Sequence, residues 1–263
     1  MNYKTIDFEI VDKVATIKLN RPEYYNSLNE QMAKELLNVA YECDQNSSIR
    51  CVILTGEGEK AFCSGGDLKS FYEQEENVSR HLKEVTHCLH GAITRFSRMD
   101  APLIVAVNGV AAGAGLSFVG FADLAVCSDK ASFVSAYSKA GLTPDGSSSY
   151  FLPRIIGSRR YLELVLTNKI LSSKEALEWG LINKIFEHEI LYKETFKIAK
   201  ELSEGPTLAF GRTKELVHNS FTSSLEGQME LETIMISKSA DTEDGKAGIR
   251  SFVKKEKPTF LGK

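Results

Sequence analysis

Two short stretches carry the first sign of chemistry: Ser64-Gly65-Gly66-Asp67 and Ala112-Gly113-Ala114-Gly115. In each, residues without bulky side chains stand where a strand is expected to give way to a helix. Such a turn leaves main-chain N–H groups at a helix start unpaired and approachable, and donors of that kind can hold an oxygen that gains negative charge during a reaction. The same small residues would also permit tight packing of strand on helix, so residue type alone leaves both uses open. Neither Gly56-Glu57-Gly58 nor Gly109 to Gly115 fits G-x-G-x-x-G with an acidic residue at the right distance, and G-x-x-x-x-G-K-[ST] is absent. Dinucleotide and P-loop chemistry are therefore set aside.

Two side chains could move protons. Asp145 lies between Pro144 and Gly146-Ser147-Ser148-Ser149-Tyr150, where an aspartate serves naturally as a helix N-cap. His90 lies on the rim of an apolar stripe beside Leu89 and Ile93, either as a surface histidine without a task or as an acid-base group. His81 and His87 fall on other faces of the same helix, and no second carboxylate joins them at a ligand spacing, so no metal is expected. The five cysteines, Cys43, Cys51, Cys63, Cys88 and Cys127, are odd in number and lack C-x-x-C spacing. That argues against a disulfide framework or a zinc site and fits a reducing compartment. Nothing nearby in sequence lowers the pKa of Cys63, which reads as a packing residue.

The elements that must position these groups alternate. Residues 8–11 and 14–19 read as a hairpin, 29–43 as a helix and 51–55 as an apolar strand, followed by a glycine-rich loop over 56–66. A long helix over 78–99 precedes a strand at 103–107, a glycine turn at 109–115, a short helix at 115–121 and a strand at 124–127. Beyond Ser158 the pattern is mostly helical, at 158–167, 173–179, 189–203, 206–218, 224–237 and 243–253, with one strand candidate at 181–186. The expected fold is α/β, with a largely parallel sheet in a core over 1–200 and a helical region over 201–263. The stripe Leu225, Met229, Ile234 and Ile236 has little sheet to cover and predicts packing on another subunit.

Composition narrows the function classes. The chain has 263 residues, with 32 Lys plus Arg against 35 Asp plus Glu, a net charge of −3, so no nucleic-acid or anionic-membrane partner is expected. Hydrophobic residues make up 43% and charged ones 25%, as in a folded domain in water. The segment Ala101 to Ala122 carries no charge, yet Pro102, Asn108 and four glycines make it a strand, a turn and a buried helix rather than a membrane span. The N-terminus has neither a signal peptide nor a transit peptide pattern, and Leu261-Gly262-Lys263 is not a peroxisomal address, so a cytoplasmic location is expected.

Several motifs taken together resemble the crotonase (enoyl-CoA hydratase/isomerase) superfamily. They are Asn20-Arg21-Pro22 with Asn26-Ser27-Leu28, then Ala61-Phe62-Cys63-Ser64-Gly65-Gly66-Asp67-Leu68, then Val107-Asn108-Gly109-Val110-Ala111-Ala112-Gly113-Ala114-Gly115. Gly141-Leu142-Thr143-Pro144-Asp145, Leu152-Pro153-Arg154-Ile155-Ile156-Gly157, Ala176-Leu177-Glu178-Trp179-Gly180-Leu181 and Phe252-Val253-Lys254-Lys255 before Pro258 continue the match. The resemblance implies a ClpP-like spiral of β-β-α units and a C-terminal helical region that builds homotrimers or dimers of trimers. It also implies acyl-CoA thioester substrates, with coenzyme A entering as part of the substrate and no separate cofactor. By motif position the oxyanion hole would be the N–H groups of Gly66 and Ala114, and coenzyme A would lie along Glu23-Tyr24-Tyr25 and Cys63-Ser64, with Asp67 nearby.

By the same resemblance, the two glutamates of a typical hydratase fall on Ser117 and Tyr137 in the substrate pocket, and neither is a carboxylate. Hydration is therefore disfavoured. Asp145 stands where hydratases usually carry glycine, as in the aspartate-containing isomerases similar to phenylacetyl-epoxide and dehydroadipyl-CoA isomerases, and one carboxylate suffices for a 1,3-proton shift. The set His90, Tyr137 and Asp145 is also similar to that of 4-halobenzoyl-CoA dehalogenases, with an aspartate nucleophile and a histidine base, although tyrosine here replaces their tryptophan. An enoyl-CoA isomerase is the leading expectation. The alternatives are a dehalogenase-like hydrolase, a hydratase in the generic family sense, and a non-catalytic acyl-CoA-binding homologue.

Overall fold

A computed structural model describes residues 3–263. Its opening is the expected hairpin, β1 (Ile6–Val11) and β2 (Val14–Leu19), paired antiparallel. Helix α1 (Glu30–Gln45) starts where the side chain of Asn29 accepts the Met32 N–H at 2.9 Å, a standard N-cap.

Three successive β-β-α turns follow. Strand β3 (Cys51–Gly56) leads to β4 (Ala61–Cys63), then to the short α2 (Leu68–Glu73) and the long α3 (Val78–Arg98). Strand β5 (Leu103–Val107) leads to β6 (Val110–Ala112) and α4 (Ala114–Phe121). Strand β7 (Leu124–Ser128) leads to β8 (Ser132–Val134) and, after a 3-10 turn at Tyr137–Ala140, to α5 (Ser148–Ile156). In each turn the first strand joins a large sheet and the second a small one. The chain continues through α6 (Ser158–Thr167), β9 (Leu171–Ser172), α7 (Ser173–Glu178), β10 (Lys184–Phe186) and α8 (Leu191–Ser203). The large sheet has the order β1-β2-β3-β5-β7-β10 and the small one β4-β6-β8-β9.

Beyond the β1–β2 hairpin the large sheet is parallel. Its central strands are buried on both faces, which is why β3 and β5 read as unbroken apolar runs rather than alternating ones. One face meets the main core, where α3 contributes Val85, Leu89, Ile93 and Phe96, and Phe96 stacks on Phe121 of α4. The other face is covered by α8 through Leu191 and Ala199, against Ile53, Ile104 and Val126.

The stretches expected to be plain glycine loops, 56–66 and 109–115, contain β4 and β6. Three-residue strands are too short to show a period of two. The sequence reading also omits α2, β8, β9 and α5; in α5, Pro153 lies inside the helix and disguises it.

The last helices are α9 (Thr207–Ser220), α10 (Leu225–Ala240) and α11 (Glu243–Lys254). Helix α9 is tied to the core by Lys214, whose ammonium pairs with Asp123 at 2.7 Å and donates to the Ala101 carbonyl at 3.2 Å. On α10 only Met235 is buried, while Leu225 and Ile236 are each 70% exposed. Among the described residues no helix is long and apolar enough to cross a membrane.

Candidate active site

The two glycine turns meet. Strands β4 and β6 run parallel side by side, Ala61 opposite Val110 and Cys63 opposite Ala111, so their exits emerge together at one end of the small sheet. Gly65 and Gly113 both adopt left-handed backbone, with φ of +103° and +52°. Each lies where an added Cβ would press on the other turn: from Gly113 it would stand 3.2 Å from the Gly65 Cα, and from Gly65 3.3 Å from the Ala112 carbonyl oxygen. A methyl at Gly115 would overlap the carbonyl oxygen of Cys63. Glycine at 65 and 113 therefore answers both a torsional and a steric demand.

The hydrogen bonds of these turns leave several donors over, among them two that matter for the cavity. Ser64 N–H donates to the Tyr25 carbonyl, Leu28 N–H to Gly65, Asp67 N–H to Leu28 and Gly113 N–H to Val134. The N–H groups of Gly66 and Ala114 donate to no partner among the described residues, and both residues border one cavity. Ala114 is the first residue of α4, so its amide is one of the unpaired donors that every helix start exposes. The cavity, of about 260 Å³, is otherwise largely apolar, walled by Leu28, Phe71, Leu82, Val85 and Leu142. It suits an acyl chain or one ring, small beside the ~300–1,000 Å³ of typical ligand sites.

Asp145 borders the same cavity. It is not the cap of α5: Ser147 occupies that position, and no side chain caps the helix. Gly146 and Ser147, with φ of +59° and +67°, turn the chain so that the Asp145 carboxyl is only 32% exposed and borders the cavity. Tyr137 donates its hydroxyl to Asp145 Oδ1 at 2.6 Å. Burial, reinforced by the neighbouring Asp145 charge, pushes the Tyr137 phenol far above its usual range, so at neutral pH it stays protonated and is no base. Its ring is aimed by Ala136, held at φ +60°, a conformation costing about 1–2 kcal/mol for a residue with a Cβ.

Ser117, expected in the pocket, lies one layer behind it. It is fully buried, is absent from the cavity wall, and donates to the Asp145 carbonyl oxygen at 3.0 Å. It buttresses the segment that carries the carboxyl. His90 lies on the far side of Asp145, its Nε2 4.0 Å from Oδ2, and that nitrogen faces the Gly146 N–H at 3.3 Å. Its side chain is 53% exposed and does not border the cavity.

The residues expected along coenzyme A fall into two groups. Ser64 borders the cavity, while Glu23 and Tyr25 are exposed beside it on the turn after Arg21. Cys63 is fully buried, with its thiol pushed up to about 12 by burial, so it stays protonated and inert. Asp67 is occupied: Oδ2 pairs with Arg21 at 2.9 Å and Oδ1 caps α2 through the Ser70 N–H. Arg21 also donates to the Ser27 carbonyl, so this pair clamps the 21–28 turn onto the 64–67 turn. Phe71, Leu82 and Val85 are wall residues that the sequence reading did not name as a site. The signal for Phe71 was available: Asp67 as a cap, followed by Leu68 and Phe71 at helical spacing.

Comparison with known proteins adds the following. The enoyl-CoA hydratase/isomerase family matches residues 9–263. The 1,2-epoxyphenylacetyl-CoA isomerase of Escherichia coli (strain K12) is 34% identical over 251 residues, 95% of either chain. A 4-chlorobenzoyl coenzyme A dehalogenase from Arthrobacter sp. is 35% identical over 228 residues, 86% of this chain and 82% of that protein. Among solved structures, an enoyl-CoA hydratase from Geobacillus kaustophilus HTA426 aligns with a TM-score of 0.91 at 31% identity, covering 99% of both chains.

Proposed function

We propose that this chain, which belongs to the enoyl-CoA hydratase/isomerase (crotonase) superfamily of acyl-CoA enzymes, is an isomerase that shifts a double bond or rearranges a ring through a thioester enolate. In this reading the thioester oxygen lies against the Gly66 and Ala114 amides, the acyl group fills the apolar cavity, and Asp145 moves the proton. Its carboxylate takes a proton from the carbon beside the carbonyl, negative charge passes to the thioester oxygen, and the same carboxyl returns the proton further along the conjugated system. Each main-chain donor contributes about 3 kcal/mol to that charged state. Coenzyme A runs outward past Ser64 toward Glu23 and Tyr25.

The observation that carries this reading is the Tyr137–Asp145 bond. It leaves one carboxylate at the cavity wall with one oxygen pinned by a phenol, and it removes Tyr137 as a base. With Ser117 turned to the main chain, no second acid-base group among the described residues faces the cavity to position water, which argues against hydration.

A 3-enoyl-CoA incubated in heavy water with the protein should gain deuterium and become conjugated, and Asp145→Asn should stop both. Undiminished exchange in that variant would overturn the mechanism, and no exchange by the parent protein would favour a silent acyl-CoA-binding homologue.

One observation favours a second reading. His90 Nε2 stands 4.0 Å from Asp145 Oδ2, near enough to activate water against an ester formed on the aspartate, as a dehalogenase-like hydrolase requires. Against it, that nitrogen already accepts the Gly146 N–H. His90→Ala trapping a covalent aspartyl ester would decide for hydrolysis. The exposed apolar residues of α10 support assembly as a homotrimer or dimer of trimers, which light scattering would test. Five free cysteines fit a cytoplasmic, reducing setting.

A further inference from the structure

The peptide unit that joins Asp145 to Gly146 is held at both of its polar ends. Its carbonyl oxygen accepts the Ser117 hydroxyl at 3.0 Å and the Ser148 N–H at 3.1 Å. Its N–H, on Gly146, donates to Nε2 of His90 at 3.3 Å. Gly146 has a φ of +59°, and a Cβ there would stand 3.0 Å from the Ser117 Cβ, so α4 through Ser117 and α3 through His90 both bear on this one turn. The torsions on either side of that peptide set which direction the Asp145 carboxyl takes.

Only one form of the imidazole can hold the Gly146 N–H. To accept at Nε2 the ring must be neutral with its proton on Nδ1, because a charged ring is a donor at both nitrogens. The same Nε2 stands 4.0 Å from Oδ2, the carboxyl oxygen that Tyr137 does not hold. A ring that gains a proton therefore changes partner: the Gly146 N–H loses its acceptor, and the new Nε2–H is drawn to Oδ2. Asp145 is the one ion-pair partner of His90 among the described residues. Arg98 of α3 and Glu215 and His218 of α9 line the groove beyond Ser147, and none of them pairs with the imidazole; nor does His87, one turn back on α3. The ring is half exposed, so protons reach it from solvent, and it does not border the cavity.

We infer that His90 is a positioning residue: its neutral, Nδ1-protonated ring aims the Asp145 carboxylate through the Gly146 amide, and its protonation switches the site off by trading that amide for Oδ2. The inference rests on the isomerase reading, in which Asp145 takes the substrate's proton, and it gives His90 a task other than activating water. During turnover the proton passes between substrate and Asp145 alone, and the ring keeps its own. Activity should accordingly be lost on the acid side as the histidine charges, before the carboxylate itself is protonated.

The test is the pH dependence of the double-bond shift in a saturating 3-enoyl-CoA, between about pH 5 and pH 8 where histidines titrate, for the parent protein, His90→Ala and His90→Gln. It is joined by imidazole nitrogen NMR spectra of the full chain without substrate, the His90 signals being those lost in the variants. In the parent the neutral ring should show a bare Nε2 and a protonated Nδ1, and kcat should fall as that ring charges. His90→Ala should lower kcat about tenfold at the upper end of the range, with KM within about twofold. His90→Gln, whose amide oxygen can accept the same N–H and never charges, should recover most of that loss and carry its acid-side fall about one pH unit lower or more. An active parent whose acid-side fall is unchanged in His90→Gln, or a neutral ring protonated at Nε2, would overturn the inference and leave the isomerase reading standing. A parent inactive on the thioester across the range would overturn the isomerase reading and this inference with it, as would a covalent aspartyl ester accumulating in His90→Ala.

Discussion

At the Gly65 and Gly113 turns, the groups that border the cavity are main-chain amides, held by strand pairing and by contact between two glycines. At Asp145 the bordering group is a side chain, held by a phenol and backed by a buried serine on a loop of left-handed residues. The first region is indifferent to which side chains surround it and intolerant of an added Cβ. The second depends on side-chain identity. A fold that separates the two can keep one cradle for thioester oxygens while exchanging the acid-base groups on the same cavity. Ser117 and Tyr137 illustrate this: they stand where the resemblance puts carboxylates, and here they serve Asp145 instead.

The sharpest way to break this comparison is Asp145→Asn, which should lower kcat by about 10³ while leaving the denaturation midpoint near that of the parent protein. Activity within tenfold of the parent would mean that the side-chain half of the site is not chemical. Next comes Gly115→Ala, whose methyl would enter the Cys63 carbonyl. It should cost about 3 kcal/mol in denaturant unfolding, and an unchanged midpoint would show that the cradle yields where the contact with Cys63 says it should not.

Tyr137→Phe should lower kcat about tenfold and stability by about 1 kcal/mol, because the carboxyl loses its aim and a charged hydrogen bond. A loss of stability without loss of rate would reduce Tyr137 to packing. The smallest effect concerns the helix behind the Asp145 side. Burial pushes the His218 imidazole below its ordinary 6.5, outweighing the attraction of Asp123. The unfolded chain therefore binds its proton at higher pH than the folded chain. The histidine's contribution to stability is complete above pH 6.5 and is lost as pH falls from there through the lowered folded value. His218→Gln should accordingly lose less thermal stability than the parent protein between pH 7 and pH 5, and parallel pH profiles would show that the ring is freely solvated.

Much of the fold was legible because its long elements follow simple periods. The hairpin alternates, α1 and α3 carry apolar stripes with a cap or a buried face, and β3 and β5 are unbroken apolar runs. The short strands β4, β6 and β8 were hidden because three residues carry no period, although they bring the two glycine turns together. At the site, Gly66, Ala114 and Asp145 could be named from motif and residue type. The Tyr137 bond to Asp145 could not, since it depends on positive φ at Ala136, Gly146 and Ser147, two of which are residues that seldom adopt it. The N-cap that residue type alone offers for Asp145 falls on Ser147 instead, for the same reason. Ser117 was expected to face ligand because a motif position says nothing about which layer a side chain occupies.

The pairing of β4 with β6, and the bridge between Leu28 and Gly66, also set when the molecule becomes competent. Both join residues some forty to fifty positions apart, and contacts of such separation close slowly because loop entropy must be overcome first. During refolding from denaturant, the far-ultraviolet helical signal should therefore recover well before catalysis does. A newly made chain would pass through an interval in which it is largely helical and still inert.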